Sequence, residues 1–255
     1  MTFKQPDFKK HNDSLVALSV TDVIQETNDV RTFRLDNSDG LLSPHKPGMF
    51  IKVCLNIKGK EVWRSFTISS SPFHRERIDL TIKRNPQGEA GNFLFEHIGP
   101  GSELNIKGPS GQFFYDQELH TEPVVLLCAG IGITPMMSII RYLSDIKQNT
   151  PCALFYGART HRDIIFDQET RQSITDLPGF QYFLTLSQAS PQWLGNCGRL
   201  SFDFIQAKIS PTLMSRFFLC GPRNFNQNFE EQLLESGVPQ SLIHCEHFHK
   251  KRKSK

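Results

Sequence analysis

Arg64-Ser65-Phe66-Thr67 puts a guanidinium, an aromatic face and two hydroxyls within four residues. A guanidinium grips phosphate through two parallel hydrogen bonds. On an alternating strand Arg64 and Phe66 face one side and Ser65 and Thr67 the other, unless a kink or bulge turns Thr67 round. Downstream, Gln87-Gly88-Glu89-Ala90-Gly91-Asn92 reads as a loop entering a helix. The amides of Gly91 and Asn92 at such a helix start attract anions. Lys83 and Arg84 precede this loop. Gly130-Ile131-Gly132-Ile133-Thr134-Pro135 follows the apolar run Val124–Cys128. That order is strand, glycine turn, helix: Gly130 and Gly132 let the backbone approach a pyrophosphate, Thr134 caps the helix, and Pro135 fits its first turn. Cys220-Gly221-Pro222 closes a second apolar run, at the strand end where open sheets bind ligands.

Two kinds of element must position these residues. From residue 15 to about 115, short apolar-alternating runs at Val16–Val20, Arg31–Leu35, Phe50–Leu55 and Ile78–Ile82 are separated by Gly and Pro. Short strands at such spacing predict a small antiparallel barrel. One helix is expected over Asn92–His97. Beyond Glu118 the pattern changes: strands at Val124–Cys128, Ala153–Tyr156, Tyr182–Leu186 and Phe217–Leu219 alternate with helices at Pro135–Ile146, Asp163–Ser173 and Asn224–Ser236. Alternation of that kind predicts a doubly wound parallel α/β sheet. The expected organisation is a flexible N-terminus (1–14), a barrel domain (15–116), an α/β domain (123–248) and a basic tail (249–255), with the boundary near Asp116–Glu122.

Composition is ordinary for a globular chain of 255 residues, at 38% hydrophobic and 22% charged, with 21 Phe to fill large cores. No apolar run is long enough to span a bilayer, and no secretory leader is recognised in the polar start. The six Cys are scattered, with neither CxxC nor iron–sulfur spacing. They read as reduced thiols of a cytoplasmic protein, and no metal site, acid–base dyad or nucleophile triad is expected. The net charge of +3 rests on the tail, which holds five Lys and Arg. That tail reads as a solvated end or as a contact for an acidic partner.

In this order the segments Arg64–Thr67, Gly108-Pro109-Ser110-Gly111, Gly130–Pro135 and Cys220–Pro222 resemble the signatures of the ferredoxin–NADP(+) reductase superfamily, which includes oxygenase reductases and cytochrome b5 reductases. The resemblance runs from Leu15 to Phe248. It implies FAD and either NADH or NADPH as cofactors, with NADH ahead. Arg64 then binds flavin phosphate, Phe66 lies against the flavin where Tyr is usual, and Thr67 approaches the ring N5 where Ser is usual. Gly91 stands where a Ser is frequent, so one hydroxyl contact is lost. Lys83 sits on the strand near the flavin, and Gly108–Gly111 is the turn that closes the barrel.

On the nicotinamide side, the resemblance brings Cys220, with Gly221 and Pro222, close to the nicotinamide, acting by packing and polarity. Glu246 supports that site and Phe248 shields the flavin, in Glu246-His247-Phe248. Arg159, in Gly157-Ala158-Arg159, can pair with a 2′-phosphate. Thr67, Cys220 and Glu246 are the expected catalytic residues. The implied activity passes a hydride from NAD(P)H to FAD and single electrons to an external acceptor, such as an iron–sulfur protein or an oxygenase. No fused iron–sulfur domain, nucleic acid or membrane span is expected. Two other readings use the same residues: a reductase of freely dissociating flavin, and a non-catalytic electron-transfer or flavin-sensing subunit.

Overall fold

A computed structural model describes residues 14–209 and 214–247. The N-terminal residues to 13, Phe248 and the basic tail lie outside the described residues. The first sheet is built from β1 (Val16–Thr27), β2 (Val30–Asp36), β3 (Phe50–Ile57), β4 (Lys60–Thr67), β5 (Arg77–Lys83) and β6 (Glu103–Ser110), with helix α1 (Glu89–His97) after β5. The strands run antiparallel in the order β4-β3-β6-β1-β2-β5. A bridge between Ile68 and Leu80 joins the two edge strands and closes a barrel. Period-two alternation fills it: Ile51, Val53 and Leu55 of β3 and Ile78, Leu80 and Ile82 of β5 are buried in one core, which Leu94 and Phe95 of α1 plug.

The second sheet holds β7 (Val124–Ala129), β8 (Cys152–Ala158), β9 (Phe180–Leu186), β10 (Asn196–Cys197), β11 (Arg216–Cys220) and β12 (Ile243–Glu246). Every pairing is parallel, in the order β10-β9-β8-β7-β11-β12. Both faces are covered, as a parallel sheet requires. Helices α2 (Ile133–Asp145) and α3 (Asp167–Asp176) lie on the face of Leu126, Leu154 and Phe218. Helices α4 (Phe202–Lys208) and α5 (Arg223–Glu235) lie on the face of Leu127, Phe155 and Phe217.

The strand order reverses between β7 and β11, so the crevice of this sheet opens at the C-terminal ends of those two strands. The turn Gly130–Gly132 leaves β7 there and packs on the end of β11. A Cβ on Gly132 would stand 2.0 Å from the carbonyl oxygen of Cys220 and 2.6 Å from its carbonyl carbon. Gly130 meets nothing within 4 Å but has φ +56, a left-handed backbone that glycine adopts without strain.

The connection between the sheets is itself packed. Phe113 and Tyr115 belong to the core around α2, and their rings meet Phe218 edge-on at 5.4 and 6.4 Å. Arg216 holds Glu122 through two hydrogen bonds of 3.0 and 3.1 Å, and its Nη1 lies 2.8 Å from His244 Nε2. His120 is buried beside them and accepts the amide N–H of Asp116 on Nδ1 at 3.1 Å. Burial, then the charge of Arg216, lowers its pKa to about 4. His45 is lowered to about 4 by burial and the charge of Arg75.

Two outcomes follow. Gly132→Ala forces one backbone segment away from another and is expected to cost about 1–3 kcal/mol, as overpacking does. Gly130→Ala is expected to cost less, having only a conformational strain to bear; equal melting temperatures for the two variants would refute the contact. For His120 the unfolded chain binds a proton from about pH 6.5 downward, while the folded chain refuses it until about pH 4. Stability should therefore fall as the pH is lowered through that window, by up to about 1.4 kcal/mol per pH unit for this one group. Denaturant titrations of His120→Asn should show a shallower slope than the parent between those values.

Candidate functional site

The barrel contributes the strand of Arg64-Ser65-Phe66-Thr67. Its ladder to β3 runs without a bulge, pairing Arg64 with Val53, Phe66 with Ile51 and Thr67 with Phe50. Phe66 and Thr67 therefore keep to opposite faces: no kink turns Thr67 onto the side of the aromatic. Phe66 rests half-buried on the barrel core, and Thr67 is buried. Arg64 is exposed, donates to the Trp63 carbonyl at 2.9 Å, and makes no ion pair among the described residues. The bridge between Ile68 and Leu80 stands alone, so β4 and β5 part beyond it. Counted outward in antiparallel register, Phe66 comes level with Ile82 and Arg64 with Arg84. The opening thus faces the start of α1.

Helix α1 begins at Glu89, three residues before the expected start, with Gly88 at its N-cap and no side chain capping it. Its first-turn amides, including that of Gly91, have no intrahelical partner. Asn92 differs from expectation. Its amide donates to Gly88 O at 3.3 Å, its Oδ1 accepts from Arg84 Nε at 2.7 Å, and its Nδ2 donates to Pro86 O at 3.0 Å. One full turn into the helix, its N–H is already spent, so Asn92 shapes the loop and its amide is not open to an anion. Lys83 pairs with Asp29 at 3.1 Å. It follows Thr81 and Asp79 on the outer face of β5, which lies against the Gly130–Gly132 turn. It therefore stands toward the second domain. Gly108-Pro109-Ser110 is the end of β6 and not a free turn, and Ser110 pairs with Phe50.

The second domain contributes its crevice. Thr134 does not cap α2. Gly132 is the N-cap, and Thr134, inside the helix, donates from Oγ1 to Ile131 O at 3.1 Å. The helix starts two residues early because the 3-10 turn of Gly130–Gly132 runs straight into it. Pro135 stays in its first turn. Pro222 is the N-cap of α5, and a Cβ on Gly221 would press the Phe225 ring at 2.7 Å.

Cys128, Cys220 and Glu246 stand abreast at the ends of β7, β11 and β12. Cys220 is fully buried; burial, then the nearby Glu246 carboxylate, holds its thiol well above the usual range. It remains protonated and is no nucleophile. Burial also raises the pKa of Glu246, whose carboxylate accepts the His247 amide at 3.0 Å. Asn226, fully buried in α5, donates to the Glu246 carbonyl at 2.7 Å and so ties β12 to the helix. Nothing in the sequence separates Asn226 from the polar residues around it on α5. Arg159, just after β8, is exposed and bound to Asp163 at 2.6 Å, within a capping box of Thr160 and Asp163.

Between these halves lies a cavity of about 390 Å³, walled by Phe50, Gly111, Gln112 and Phe113 on the barrel side and by Ile243–His247 on the other. Thr67 pairs with the Phe50 of one wall and Cys220 with the Glu246 of the other. Of the three expected catalytic residues, Glu246 lines this cavity, while Thr67 and Cys220 are buried one strand behind its walls. The structure leaves Arg64 and Gly91 at the barrel's opening and Arg159 just past the C-terminal end of β8, the strand beside β7. An unpaired guanidinium, an uncapped helix start and a half-buried aromatic ring fit a flavin with its phosphates. The glycine turn at a strand reversal fits a dinucleotide.

Residues 17–115 match the model of the oxidoreductase FAD-binding domain and residues 126–231 that of the oxidoreductase NAD-binding domain. The glycine betaine monooxygenase reductase subunit of Chromohalobacter salexigens is 35% identical over 89% of this chain and 62% of its own length. The NADH-cytochrome b5 reductase 1 of Dictyostelium discoideum is 27% identical over 87% of this chain and 77% of its own. The chain thus spans about three-fifths of the length of the monooxygenase reductase. Among solved structures, the FAD/NAD-binding domain of nitric oxide dioxygenase from Vibrio cholerae superposes with a TM-score of 0.81 at 26% identity, covering 90% of this chain and 97% of that one. With an FAD-binding barrel followed by an NAD-binding parallel sheet, the chain belongs to the ferredoxin–NADP(+) reductase-like oxidoreductases.

Proposed function

We propose that this chain oxidises NADH through bound FAD and hands the electrons to an external acceptor. The observation that carries this reading is the cavity between the two domains, walled on one side by Phe50, the strand partner of Thr67, and on the other by Glu246, the strand partner of Cys220. Bound FAD supplies the chemistry, taking a hydride from the nicotinamide and releasing electrons singly.

The chain's own residues hold and orient. Arg64 and the first amides of α1, that of Gly91 among them, grip the flavin phosphates. Phe66 gives an apolar face on one side of the strand, and Thr67 holds its hydroxyl on the other. Gly130 keeps a side chain away from the dinucleotide, Gly132 and Gly221 let the turn pack on the end of β11 and on Phe225, and Thr134 braces the turn from within. Lys83, on the barrel's outer wall beside that turn, offers the dinucleotide a cation in exchange for Asp29. Cys220, held protonated by burial, and Glu246, its carboxyl pKa raised by burial, form the floor beneath the nicotinamide. Pro222 starts the helix that carries Asn226 under this floor. Arg159 is already neutralised by Asp163, which favours NADH over NADPH.

For the acceptor, the reductase components of glycine betaine monooxygenase and propane 2-monooxygenase are relatives. They support an oxygenase component as the acceptor, and an iron–sulfur protein is the form of acceptor we propose.

Two variants test the division of labour. Arg64→Ala should weaken flavin binding roughly tenfold or more, the worth of one charge-assisted contact, so colour is lost on desalting. Cys220→Ala should keep its flavin and slow bleaching by NADH in stopped flow. Full flavin retention in the first, or an unaltered rate in the second, would remove that residue from the site. Chromatography of the released flavin should give FAD; an FMN peak would contradict the phosphate-binding role of the α1 start. Flavin lost from the parent protein at the first desalting would favour the reductase of dissociating flavin.

A further inference from the structure

Helix α2 begins at the Gly130–Gly132 turn, and its first two turns have no solvent face, because every residue from Ile133 to Ile140 is buried. One side covers the parallel sheet and the other lies along the barrel. There its polar residues reach the segment that follows Thr67. Ser138 Oγ donates to Ser70 O at 2.8 Å. One turn further, Arg141 Nη1 donates to Ser69 O at 2.7 Å. At the helix end Asp145 Oδ1 lies 3.3 Å from His74 Nε2.

The acceptors of these bonds are part of the barrel wall. Ser69, Ser70 and Ser71 are at most 3% exposed. The Ser69 amide donates to Asp79 O at 2.8 Å, one residue beyond the Ile68–Leu80 bridge. Its hydroxyl lies 2.8 Å from Thr81 Oγ1, which lies 2.8 Å from Thr32 Oγ1, and that hydroxyl donates to Glu26 at 2.6 Å. A shift at Ser69 is therefore felt across β5 and β2.

Arg141 itself is locked from the other side. Its Nε and Nη2 both donate to the Glu169 carboxylate, each at 2.6 Å. Its guanidinium lies 4.7 Å from the centre of the Phe166 ring. Phe166 sits at φ 59, a left-handed backbone that is strained for a bulky aromatic residue. The planar fork serves Glu169 and Ser69 at once, which a lysine ammonium cannot do in the same geometry.

We propose that Arg141 is a positioning residue: with α2 as the strut, it fixes the spacing between the flavin strand at Thr67 and the dinucleotide turn at Gly130–Gly132. Arg141 stands about 12 Å along the helix from Ile133, at 1.5 Å per residue. It acts through the helix and its seam. The inference rests on the NADH–FAD reading and names what sets the gap that reading requires. Hydride transfer needs reacting atoms about 3–3.5 Å apart, and a misplacement of about 1 Å costs on the order of a hundredfold in rate.

The test uses the full chain and the variants Arg141→Met, Arg141→Lys and Ser138→Ala. Hydrogen exchange without added cofactor reads the seam. In Arg141→Met, exchange at Ser69–Ser71 should rise together with that of the first turn of α2. With FAD bound, flavin content and NAD(+) affinity should stay within about twofold of the parent, while charge-transfer absorbance on mixing with NADH weakens and bleaching slows about ten- to a hundredfold. Arg141→Lys should follow Arg141→Met. Unchanged exchange, or unchanged bleaching in Arg141→Met, overturns the proposal. So does slowed bleaching with an equal loss of NAD(+) affinity, which would make Arg141 a binding residue. If Arg141→Met does not fold, Ser138→Ala decides: raised exchange at Ser69–Ser71 supports the strut and parent-like exchange overturns it. A parent protein whose flavin NADH does not bleach sinks the functional reading alone, and the exchange still decides the strut.

Discussion

No side chain fits at position 132, because the Cys220 carbonyl occupies its place, 2.0 Å from where a Cβ would stand. The close approach of these two backbones fixes the crevice. It sets the end of β7 on the end of β11 at the point where the strand order reverses. It also sets the start of α2, which then runs along the barrel and bonds to the segment after Thr67. Most of what the cleft requires follows from that contact and from the helix that leaves it.

Charge is distributed unevenly around the cleft. Lys83, Arg84, Arg141 and Arg159 each have an acidic partner. Among the described residues Arg64 has only a backbone carbonyl. An exposed guanidinium with no counter-ion costs little in water and gains most when a phosphate arrives. The cleft floor is the opposite case. Cys220 and Glu246 are both pushed toward neutrality by burial.

The parallel sheet was legible because buried strands read as continuous apolar runs, and Val124–Cys128 leading into Gly130–Pro135 is such a run with its turn attached. The barrel was legible as a pattern and incomplete in detail. β6 was missed because its apolar positions, Leu104 and Ile106, are two only and the Gly108-Pro109 that follows reads as a turn. β12, four residues long, and α4, seven, are too short to show a period. Helix starts were read late at Asn92 and Pro135, where the first turn holds glycine or leaves a 3-10 turn and carries no capping side chain. The seam was not legible at all. Arg141 and Ser69 are 72 positions apart, and Ser138 and Ser70 are 68 apart; only the folded chain brings them together.

The account rests on one cleft serving two cofactors, and the most direct measurement is anaerobic mixing of the desalted protein with NADH while the flavin's visible absorbance is followed. The account predicts that yellow colour survives desalting, that one equivalent of NADH bleaches it, and that an added electron acceptor restores it. Colour that survives desalting but resists both NADH and NADPH would contradict it, because the flavin strand and the strand reversal would then not face a common ligand space.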